Sequence, residues 1–434
     1  MQVPRTMRSK FWQVRSRSGS TMATRKVLSL VGVGSCGHVI SAVAGAHPDY
    51  EVRLLTRRPE VFEDKKMTVQ RPGLMGGDDV VGKIDIVGTE PEEVLPGSDV
   101  VLWCGPVVNT RSVLERMAPT IQQMRRDSQD VAVGTVFSQG CVHLLAQQVL
   151  GRDVPFFALQ NVPWLCTTNE PGKVATIVGA KHFTRCAVSG GASFERVKEF
   201  LEPCIGPQTG FTGPRLQHLP DFSSIVLNPA NQIIHPARMW GRFADWDLTS
   251  PMEHKDIGSL YGDFDDRSAE ALVGLDAELQ NIAHALKEAV PQLDLSAVVP
   301  LAERIVEQYA DQVGDKSSMR SIMATNQAYS RAQFPVVEVE GGVIPNKEHR
   351  VVQDDIPHGL VPLKDIALQL GIETPWMDEV LLWHQKFMGK SYLVDGKLEG
   401  ADMRECTSPT VLGGTELAHI GFAQAPTPAQ TATA

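Results

Sequence analysis

The hydrophobic pattern changes character along the chain. In roughly the first half, short apolar runs alternate with helix-length segments, and the first three segments, 25–33, 36–47 and 50–56, have the texture of a strand, a helix and a strand. This order predicts a parallel βαβ unit. Farther along, long amphipathic stretches at 269–290 and 295–313 predict a largely helical second half.

Further buried strands are expected in the first half, with a helix at 109–124 between the first two of them. The apolar runs that continue the sheet in this interpretation are 99–106, 130–138, 155–160 and 173–180. A stretch crowded with Gly and Pro, 206–220, separates the two halves. The sequence therefore predicts an α/β domain with a mostly parallel sheet, followed by an all-α domain.

Composition and charge exclude several classes of protein. The 434 residues, 42% of them hydrophobic, exceed what one core usually organises, so two domains with tails are expected. A formal charge of -10 argues against a nucleic-acid partner, which needs clustered Lys and Arg. No window approaches the ~20 apolar residues that span a bilayer, so no membrane segment is expected. The seven cysteines form no CxxC pair and no Cys/His pair at zinc-ligand spacing, which predicts reduced thiols in an intracellular compartment and no metal site.

The two ends of the chain differ in composition from the rest. Residues 1–26 contain no Asp or Glu, are rich in Arg and Ser, and lack the apolar core of a secretory signal. Two interpretations stay open: a transit peptide for a mitochondrion or plastid, or a disordered leader before an internal start at Met22 of a cytoplasmic protein. The final residues, APTPAQTATA, are small, polar and Pro-containing, which predicts disorder.

Three glycines follow the first strand in the pattern G-x-G-x-x-G. A bare match is weak, but this one lies between a predicted strand and a predicted helix. There, the first glycine allows a tight turn, the second lets the backbone approach a pyrophosphate, and the third permits close helix packing. We therefore expect a dinucleotide cofactor, NAD(P), at Gly32, Gly34, Ser35, Cys36 and Gly37, where the helix N-terminus attracts the anion. The alternative is a tight turn without a ligand.

The exit of the second strand bears on the choice between NADP and NAD. A NAD-selective site places Asp or Glu there to bind the ribose hydroxyl. Glu51 lies at the wrong end of the strand, and the exit carries Arg57 and Arg58 instead. Guanidinium groups suit a 2′-phosphate through charge-assisted hydrogen bonds. NADP(H) is therefore the favoured cofactor, and NAD(H) is the alternative if both arginines only solvate a loop.

In the helical half, the segment NPANQIIHPARMWG places a polar cluster in an apolar run. It carries Asn228, Asn231 and His235. A lone histidine is usually structural, but histidine titrates near neutral pH, as proton transfer in carbonyl or imine reduction requires. Such a residue needs a carboxylate to orient it. Asp355, in HRVVQDDIPHGLVP, is a candidate that spacing alone cannot pair with it.

Over nearly all of residues 26–392 the sequence resembles the octopine/nopaline (opine) dehydrogenases. The stretches that carry the resemblance are VGVGSCGHV, NQIIHPARMWG, SSMRSIMATNQAY, GGVIPNKEHRVVQDDIPHGLVP and GIETPWMDEVLLWHQKFMGKSY. The resemblance implies an N-terminal Rossmann domain and a C-terminal α-helical domain. It also implies an oxidoreductase acting on the CH-NH group of donors, which reductively condenses a 2-oxo acid such as pyruvate with an amino acid or amine.

The expected organisation has four parts. Residues 1–25 form a disordered or targeting leader, 26–210 the NAD(P)-binding Rossmann domain, 211–405 the α-helical substrate and catalytic domain, and 406–434 a disordered tail.

The resemblance also implies roles for residues of the helical half. It makes His235 the catalytic acid/base and Asp355 its partner. Arg350, five residues before Asp355, becomes the clamp for a substrate carboxylate, and Asn231, one helical turn before His235, a polar position of the substrate site. The alternative for Arg350 and Asp355 is a structural ion pair.

Two positions depart from the commonest family pattern. Asp354 stands where Glu is frequent, and His358 stands where an aromatic residue often occurs. The first change is conservative, whereas the second leaves the specificity for the amino substrate open.

The implied chemistry joins a 2-oxo acid and an amine in an imine, which accepts a proton from His235 and hydride from the cofactor to give a secondary amine dicarboxylate. Because a fold does not settle a function, two other readings stay open: a 2-hydroxy or 3-hydroxy acid dehydrogenase, and a non-catalytic NADP sensor. Neither the individual substrates nor the oligomeric state can be predicted from the sequence.

Overall fold

The computed structural model describes residues 25–72, 77–206, 213–414 and 416–422. The predicted leader up to residue 24, the predicted boundary between residues 210 and 211, and the tail from residue 423 onward lie outside the described residues.

The strands of the described residues, in chain order, are β1 (Lys26–Val31), β2 (Tyr50–Leu55), β3 (Lys66–Gln70), β4 (Val80–Lys83), β5 (Ile86–Gly88), β6 (Val100–Trp103), β7 (Ala132–Thr135), β8 (Phe156–Leu159), β9 (Trp164–Glu170), β10 (Val174–Ala180), β11 (Phe183–Ser189), β12 (Arg215–Leu219), β13 (Val336–Val339) and β14 (Gly342–Pro345). The helices are α1 (Ser35–Ala46), α2 (Pro91–Val94), α3 (Thr110–Arg126), α4 (Val142–Leu150), α5 (Phe194–Ile205), α6 (Ser223–Leu227), α7 (Asn231–Phe243), α8 (His254–Ile257), α9 (Asp266–Ala289), α10 (Leu301–Tyr309), α11 (Met319–Thr325), α12 (Arg350–Gln353), α13 (Val361–Leu370) and α14 (Pro375–Met388).

The main sheet has eight strands in the order β12-β11-β8-β7-β6-β1-β2-β5. Every neighbouring pair from β8 to β5 is parallel, and these strands have the order of a Rossmann fold. β11 pairs antiparallel with β8, and β12 lies parallel to β11 at the edge. The predicted Rossmann architecture is therefore confirmed. The sheet extends to Leu219, because the Gly- and Pro-rich stretch contains a short strand.

Burial on both faces explains the continuous apolar runs of the central strands. All residues of β6, β7 and β8 are buried. One hydrophobic cluster joins the sheet to α1 and α5, for example at Val39 and Phe200. The other contains Met117 of α3 and Leu145 of α4, and it continues into the helical half. Both faces of a parallel sheet are buried under helices. The helical half of the chain packs on one of these faces together with α3 and α4.

A second sheet has the order β4-β3-β10-β9. The prediction that the run 173–180 continues the main sheet is therefore wrong, because β10 occupies this run and pairs antiparallel with β9 and parallel with β3. The connection from β9 to β10 contains Pro171 and Gly172, and Gly172 has φ +78, which favours glycine. This tight turn folds β10 back onto β9.

The second half is helical, as predicted, with one described hairpin, β13–β14. Helix α7 packs along α9, and α13 and α14 also contact α9. The predicted helix at 295–313 is shorter than expected, since α10 begins only at Leu301. Pro300 disfavours helical backbone in the residue before it. Among the described residues, no helix is both long and apolar enough to cross a membrane.

The predicted disordered tail starts too early. Cys406 and Ile420, which the prediction places in it, are fully buried. The backbone N–H of Cys141 donates a hydrogen bond of 2.9 Å to the carbonyl of Thr407, which ties this segment to the start of α4. The small, polar composition that predicts disorder belongs to the last residues alone, whereas the apolar side chains before them pack against the protein.

Candidate active site

The glycine loop lies at the carboxyl end of β1, beside β6. The strand order reverses here, and open α/β sheets bind ligands at such a point. Gly32 has φ +67, and a Cβ on it would lie 2.2 Å from the Trp103 ring. A Cβ on Gly37 would come within 3.2 Å of a neighbouring side chain. Because Gly34 is the N-cap of α1 and Ser35 its first residue, the free N–H groups of the first turn adjoin the loop. The loop therefore fits a dinucleotide pyrophosphate.

Two side chains of this loop contact strand β9. The hydroxyls of Ser35 and Thr168 lie 3.0 Å apart, and the sulfurs of Cys36 and Cys166 lie 3.9 Å apart. The hydrogen bond from Cys166 lowers the pKa of Cys36, burial opposes this shift, and the charge of Arg350 lowers the pKa further. Arg350 of the helical half is therefore within electrostatic range of the predicted cofactor loop.

The structure places both predicted phosphate-binding arginines at the exit of β2. Arg57 and Arg58 follow the strand after one residue, Thr56, and both are exposed. Glu51 lies at the other end of β2 and pairs with Arg53 at 2.7 Å. The place where a NAD-selective site has its carboxylate thus carries positive charge.

His235 and Asp355, which are 120 residues apart in sequence, meet in the fold. Nδ1 of His235 lies 2.6 Å from Oδ2 of Asp355, and the two residues are 5% and 1% exposed. A carboxylate at Nδ1 fixes the ring tautomer and stabilises the imidazolium. The opposite nitrogen, Nε2, lies 2.6 Å from the hydroxyl of Tyr261. This arrangement can hold a proton at Nε2 and release it.

Loops of the Rossmann half contact the two carboxylates that follow α12, those of Asp354 and Asp355. Nε2 of Gln139, in the loop after β7, donates a hydrogen bond of 2.6 Å to Oδ1 of Asp355. The backbone N–H of Val108, after β6, donates one of 2.8 Å to Oδ1 of Asp354. Burial raises the pKa of Asp354 to about 7. The histidine–carboxylate pair therefore lies where the two halves of the chain meet.

The two remaining predicted substrate residues, Arg350 and Asn231, lie on α12 and α7. Arg350 begins α12 and is exposed, and Asn231 begins α7 and is half-buried. Burial raises the pKa of Tyr261 well above its usual value, and the nearby charge of Arg350 counteracts part of this shift. Within the described residues, the ion-pair partner of Asp355 is His235 rather than Arg350. The guanidinium thus remains exposed near the Tyr261–His235 contact.

Two polar residues of this region are not among the predicted site residues. Gln139 directly follows a predicted buried strand, and polar residues at the carboxyl ends of parallel strands commonly line sites, so this signal was present. Tyr261 lies in a loop between α8 and α9 and contacts His235 only through the tertiary fold. No feature of its sequence neighbourhood marks it.

His358, the second departure from the family pattern, is buried. Nδ1 of His358 lies 3.2 Å from the hydroxyl of Thr407, and burial lowers the pKa of His358 to about 3. This imidazole is therefore neutral and packs on the C-terminal segment. Within the part of the chain that the structure describes, no group of three His, Cys, Asp or Glu side chains could hold a metal ion.

Comparison with known proteins gives consistent matches. The family described as NAD/NADP octopine/nopaline dehydrogenase, alpha-helical domain, matches residues 218–388. The opine dehydrogenase of Haliotis discus hannai is 28% identical over 409 residues, which cover 90% of this chain and 97% of that protein. Octopine dehydrogenase with NADH and L-arginine superposes with a TM-score of 0.77 at 25% identity, covering 91% of this chain and 97% of the other. The same enzyme with NADH and pyruvate gives a TM-score of 0.74 at 25% identity, with coverage of 89% and 95%.

Proposed function

The chain belongs to the octopine/nopaline dehydrogenase family, and we propose that it is an opine dehydrogenase. It is an oxidoreductase that uses a nicotinamide cofactor and acts on the CH-NH group of donors. Its reaction condenses a 2-oxo acid with an amino acid or amine and reduces the imine to a secondary amine, which is a dicarboxylate when the amino substrate is an amino acid. The related octopine dehydrogenase binds NADH with L-arginine or with pyruvate, which supports one substrate of each class.

The observation that carries this proposal is the buried pair of His235 and Asp355 at the junction of the two halves. Reduction of an imine needs a proton on nitrogen in addition to hydride on carbon. An imidazole can carry and donate a proton, and a buried carboxylate at Nδ1 stabilises its charged form. Gln139 holds the second oxygen of Asp355 and so fixes the direction of the carboxylate.

The residues divide the work as follows. A bound nicotinamide supplies hydride. His235 supplies the proton at Nε2, while Asp355 stabilises the imidazolium and keeps its second proton on Nδ1. Arg350 binds the carboxylate of the 2-oxo acid, because a planar guanidinium makes two parallel contacts with such a group. Asn231, one turn before His235, offers an amide to the same substrate.

We assign the cofactor preference to NADP(H). Two exposed guanidinium groups, Arg57 and Arg58, follow β2 where the ribose of a dinucleotide is expected, and Glu51 is engaged by Arg53 at the far end of the strand. A 2′-phosphate gains charge-assisted hydrogen bonds from guanidinium groups, whereas a ribose hydroxyl does not need them. NAD(H) is the alternative cofactor.

A matrix of 2-oxo acids against amino acids and small amines, monitored by NADPH absorbance, tests the function. We expect oxidation to require both substrates, and the product to have the mass of the two joined with loss of water and gain of two hydrogens. Equal oxidation with the 2-oxo acid alone would instead identify a hydroxy acid dehydrogenase. Binding of NADPH without its oxidation by any substrate pair would instead support a non-catalytic nucleotide sensor.

A further inference from the structure

Tyr261 occupies the proton-transfer side of His235. Its hydroxyl lies 2.6 Å from Nε2, the ring nitrogen that does not face Asp355. Tyr261 is 6% exposed, and its ring stacks on Tyr329 with a centroid separation of 4.5 Å. Packing explains the ring, since phenylalanine would stack equally well. Packing does not explain a hydroxyl directed at the catalytic nitrogen.

The hydrogen bonds fix where the protons lie. With Asp355 at Nδ1, a neutral His235 carries its proton on that nitrogen, so the lone pair of Nε2 accepts a hydrogen bond from the hydroxyl of Tyr261. When His235 becomes an imidazolium, Nε2–H donates to the phenol oxygen instead. The O–H of Tyr261 is then released to donate to a different acceptor.

We infer that Tyr261 relays the proton from His235 to the imine nitrogen, an inference that rests on the proposed function. The Tyr261 O–H bond breaks as an N–H bond forms on the imine. At the same time, the Nε2–H bond of His235 breaks as a new O–H bond forms on Tyr261. Tyr261 ends neutral, His235 loses one proton, and the imine gains it before hydride reaches the carbon.

Two further observations fit this relay. Burial raises the pKa of Tyr261 well above its usual value, which disfavours a tyrosinate intermediate and favours transfer of both protons in one step. The charge of Arg350 reaches the Tyr261 hydroxyl. When the carboxylate of the 2-oxo acid binds Arg350, the imine formed from that acid is therefore expected to lie near this hydroxyl.

Tyr261→Phe tests the relay, with Tyr329→Phe as the matched control from the same aromatic stack. We expect Tyr261→Phe to lower kcat by about 10²-fold, within the range for a positioned proton donor, with NADPH affinity unchanged. Tyr329→Phe should stay within about twofold. Single-turnover rates are measured in mixtures of H₂O and D₂O. A plot of the wild-type rate against the deuterium fraction should be curved, because two protons move in the rate-limiting step. The residual rate of Tyr261→Phe should depend linearly on the deuterium fraction.

Several results would overturn the relay. Unchanged or faster turnover of Tyr261→Phe would show that substrate merely displaces this hydroxyl, and a linear wild-type dependence would show a single proton transfer. Amine-dependent turnover of the wild type is measured first. Its absence would refute the proposed function and the relay with it, whereas normal wild-type turnover with an unaffected Tyr261→Phe would refute the relay alone.

An independent observation concerns the thiols of the cofactor loop. Cys36, in the first turn of α1, and Cys166, on β9, have their sulfurs 3.9 Å apart, and the neighbouring hydroxyls of Ser35 and Thr168 are in contact at 3.0 Å. We propose that Cys36 and Cys166 form a reversible disulfide that modifies cofactor binding. A disulfide needs sulfurs ~2.05 Å apart, so its formation draws the first turn of α1 toward β9.

Hydrogen peroxide is the oxidant we name for this step. The Cys36 thiolate attacks one peroxide oxygen, the O–O bond breaks, and a sulfenic acid and hydroxide result. The Cys166 thiol then displaces the sulfenic oxygen as water, so that two thiols and one peroxide give a disulfide and two waters. Cys36 is the attacking thiol because it lies in the first turn of α1, where the helix N-terminus favours a thiolate, and because the hydrogen bond from Cys166 lowers its pKa.

Peroxide treatment followed by mass spectrometry of peptides tests this pair. We expect a cross-link between Cys36 and Cys166, loss of two of the seven thiols, NADPH binding weakened by about tenfold, and recovery with dithiothreitol. Because coupling is reciprocal, bound NADPH should slow the oxidation. Cys36→Ser and Cys166→Ser should abolish the effect, and Cys204→Ser, in α5, should not. Absence of the cross-link, or a cross-link without any change in NADPH affinity, would overturn the proposal.

Discussion

The Rossmann half and the helical half build their parts of the site in different ways. The cofactor loop and the two arginines come from one βαβ unit, so residues 32 to 58 contain the whole pattern. The proposed catalytic pair joins His235 of α7 to Asp355, which follows α12, and Gln139 of the Rossmann half contacts Asp355. The first arrangement is local in sequence, and the second exists only after the chain has folded.

The two arrangements also differ in exposure. Arg57 and Arg58 are exposed, whereas His235 and Asp355 are buried. Charges in water contribute less than charges held in a low dielectric. We therefore expect changes in the helical half to lower turnover strongly, and changes at the arginines to alter cofactor affinity modestly.

His235→Ala should have the largest effect. Positioned acid/base groups contribute ~10² to 10⁴ in rate, so kcat should fall by that factor because the imine loses its proton source. NADPH affinity, measured by fluorescence titration, should stay near the wild-type value, since the cofactor loop belongs to the other half. A parallel loss of NADPH affinity would show that the two halves do not divide the work as described.

Arg350→Ala should come next. Loss of a charge-assisted contact costs about 1.5 to 3 kcal/mol, which is roughly ten- to hundred-fold in affinity. The KM for the 2-oxo acid should rise by that factor, and the KM for the amine should change less. Arg350→Lys is the control that keeps the charge but loses the planar two-point contact, and it should recover part of the affinity. Equal effects on both KM values would contradict the assigned role.

Asp354→Asn tests the junction through the pH dependence of stability. Burial raises the pKa of Asp354 to about 7, against ~3.9 for an unfolded aspartate. The folded state therefore binds this proton more tightly, and its stability falls as pH rises from about 4 through about 7. The carbonyl of asparagine can still accept from Val108. The free energy of unfolding in urea should be higher for the variant than for the wild type by on the order of 2 kcal/mol at pH 8. At pH 4 the two proteins should have almost the same free energy of unfolding.

The control for this experiment is Asp153→Asn, which changes an exposed carboxylate. Its effect should be the same at both pH values. An Asp354→Asn variant with the same small effect at pH 4 and pH 8 would mean that Asp354 is not held in a desolvated position by the loop after β6.

Replacing Arg57 and Arg58 together by alanine should have the smallest effect. NADPH affinity should fall by about tenfold, the lower end for a charge-assisted contact, because both side chains are exposed. NADH affinity should hardly change. Arg126→Ala, at the end of α3, controls for the loss of surface charge. Equal use of NADH and NADPH by the wild type would contradict the assigned preference.

The sequence predicts the local parts of this molecule well. The order β1, α1, β2 and the positive φ at Gly32 follow from short-range patterns. The prediction that β10 belongs to the main sheet is wrong, because an apolar run indicates a buried strand and does not indicate which strand it pairs with. The turn at Pro171 and Gly172 is the sequence feature that indicates antiparallel pairing of β10 with the preceding strand, β9.

The site shows the same limit. The resemblance to the family implies that Asp355 is the partner of His235, whereas their separation of 120 residues gives no period or spacing that pairs them. Gln139 was within reach of sequence reasoning through its position after a buried strand. Tyr261 was not, since its contact with His235 depends on the packing of a loop against α7.

The central claim is that His235 and Asp355 act as one proton-transfer unit, and a double-mutant cycle tests it most directly. Single-turnover rates are measured for the wild type, His235→Ala, Asp355→Asn and the double variant, each saturated with NADPH and both substrates. Residues that work as a unit show strongly non-additive losses, so the double variant should be little slower than the slower single variant. Strictly multiplicative losses, or a normal rate in His235→Ala, would contradict the account.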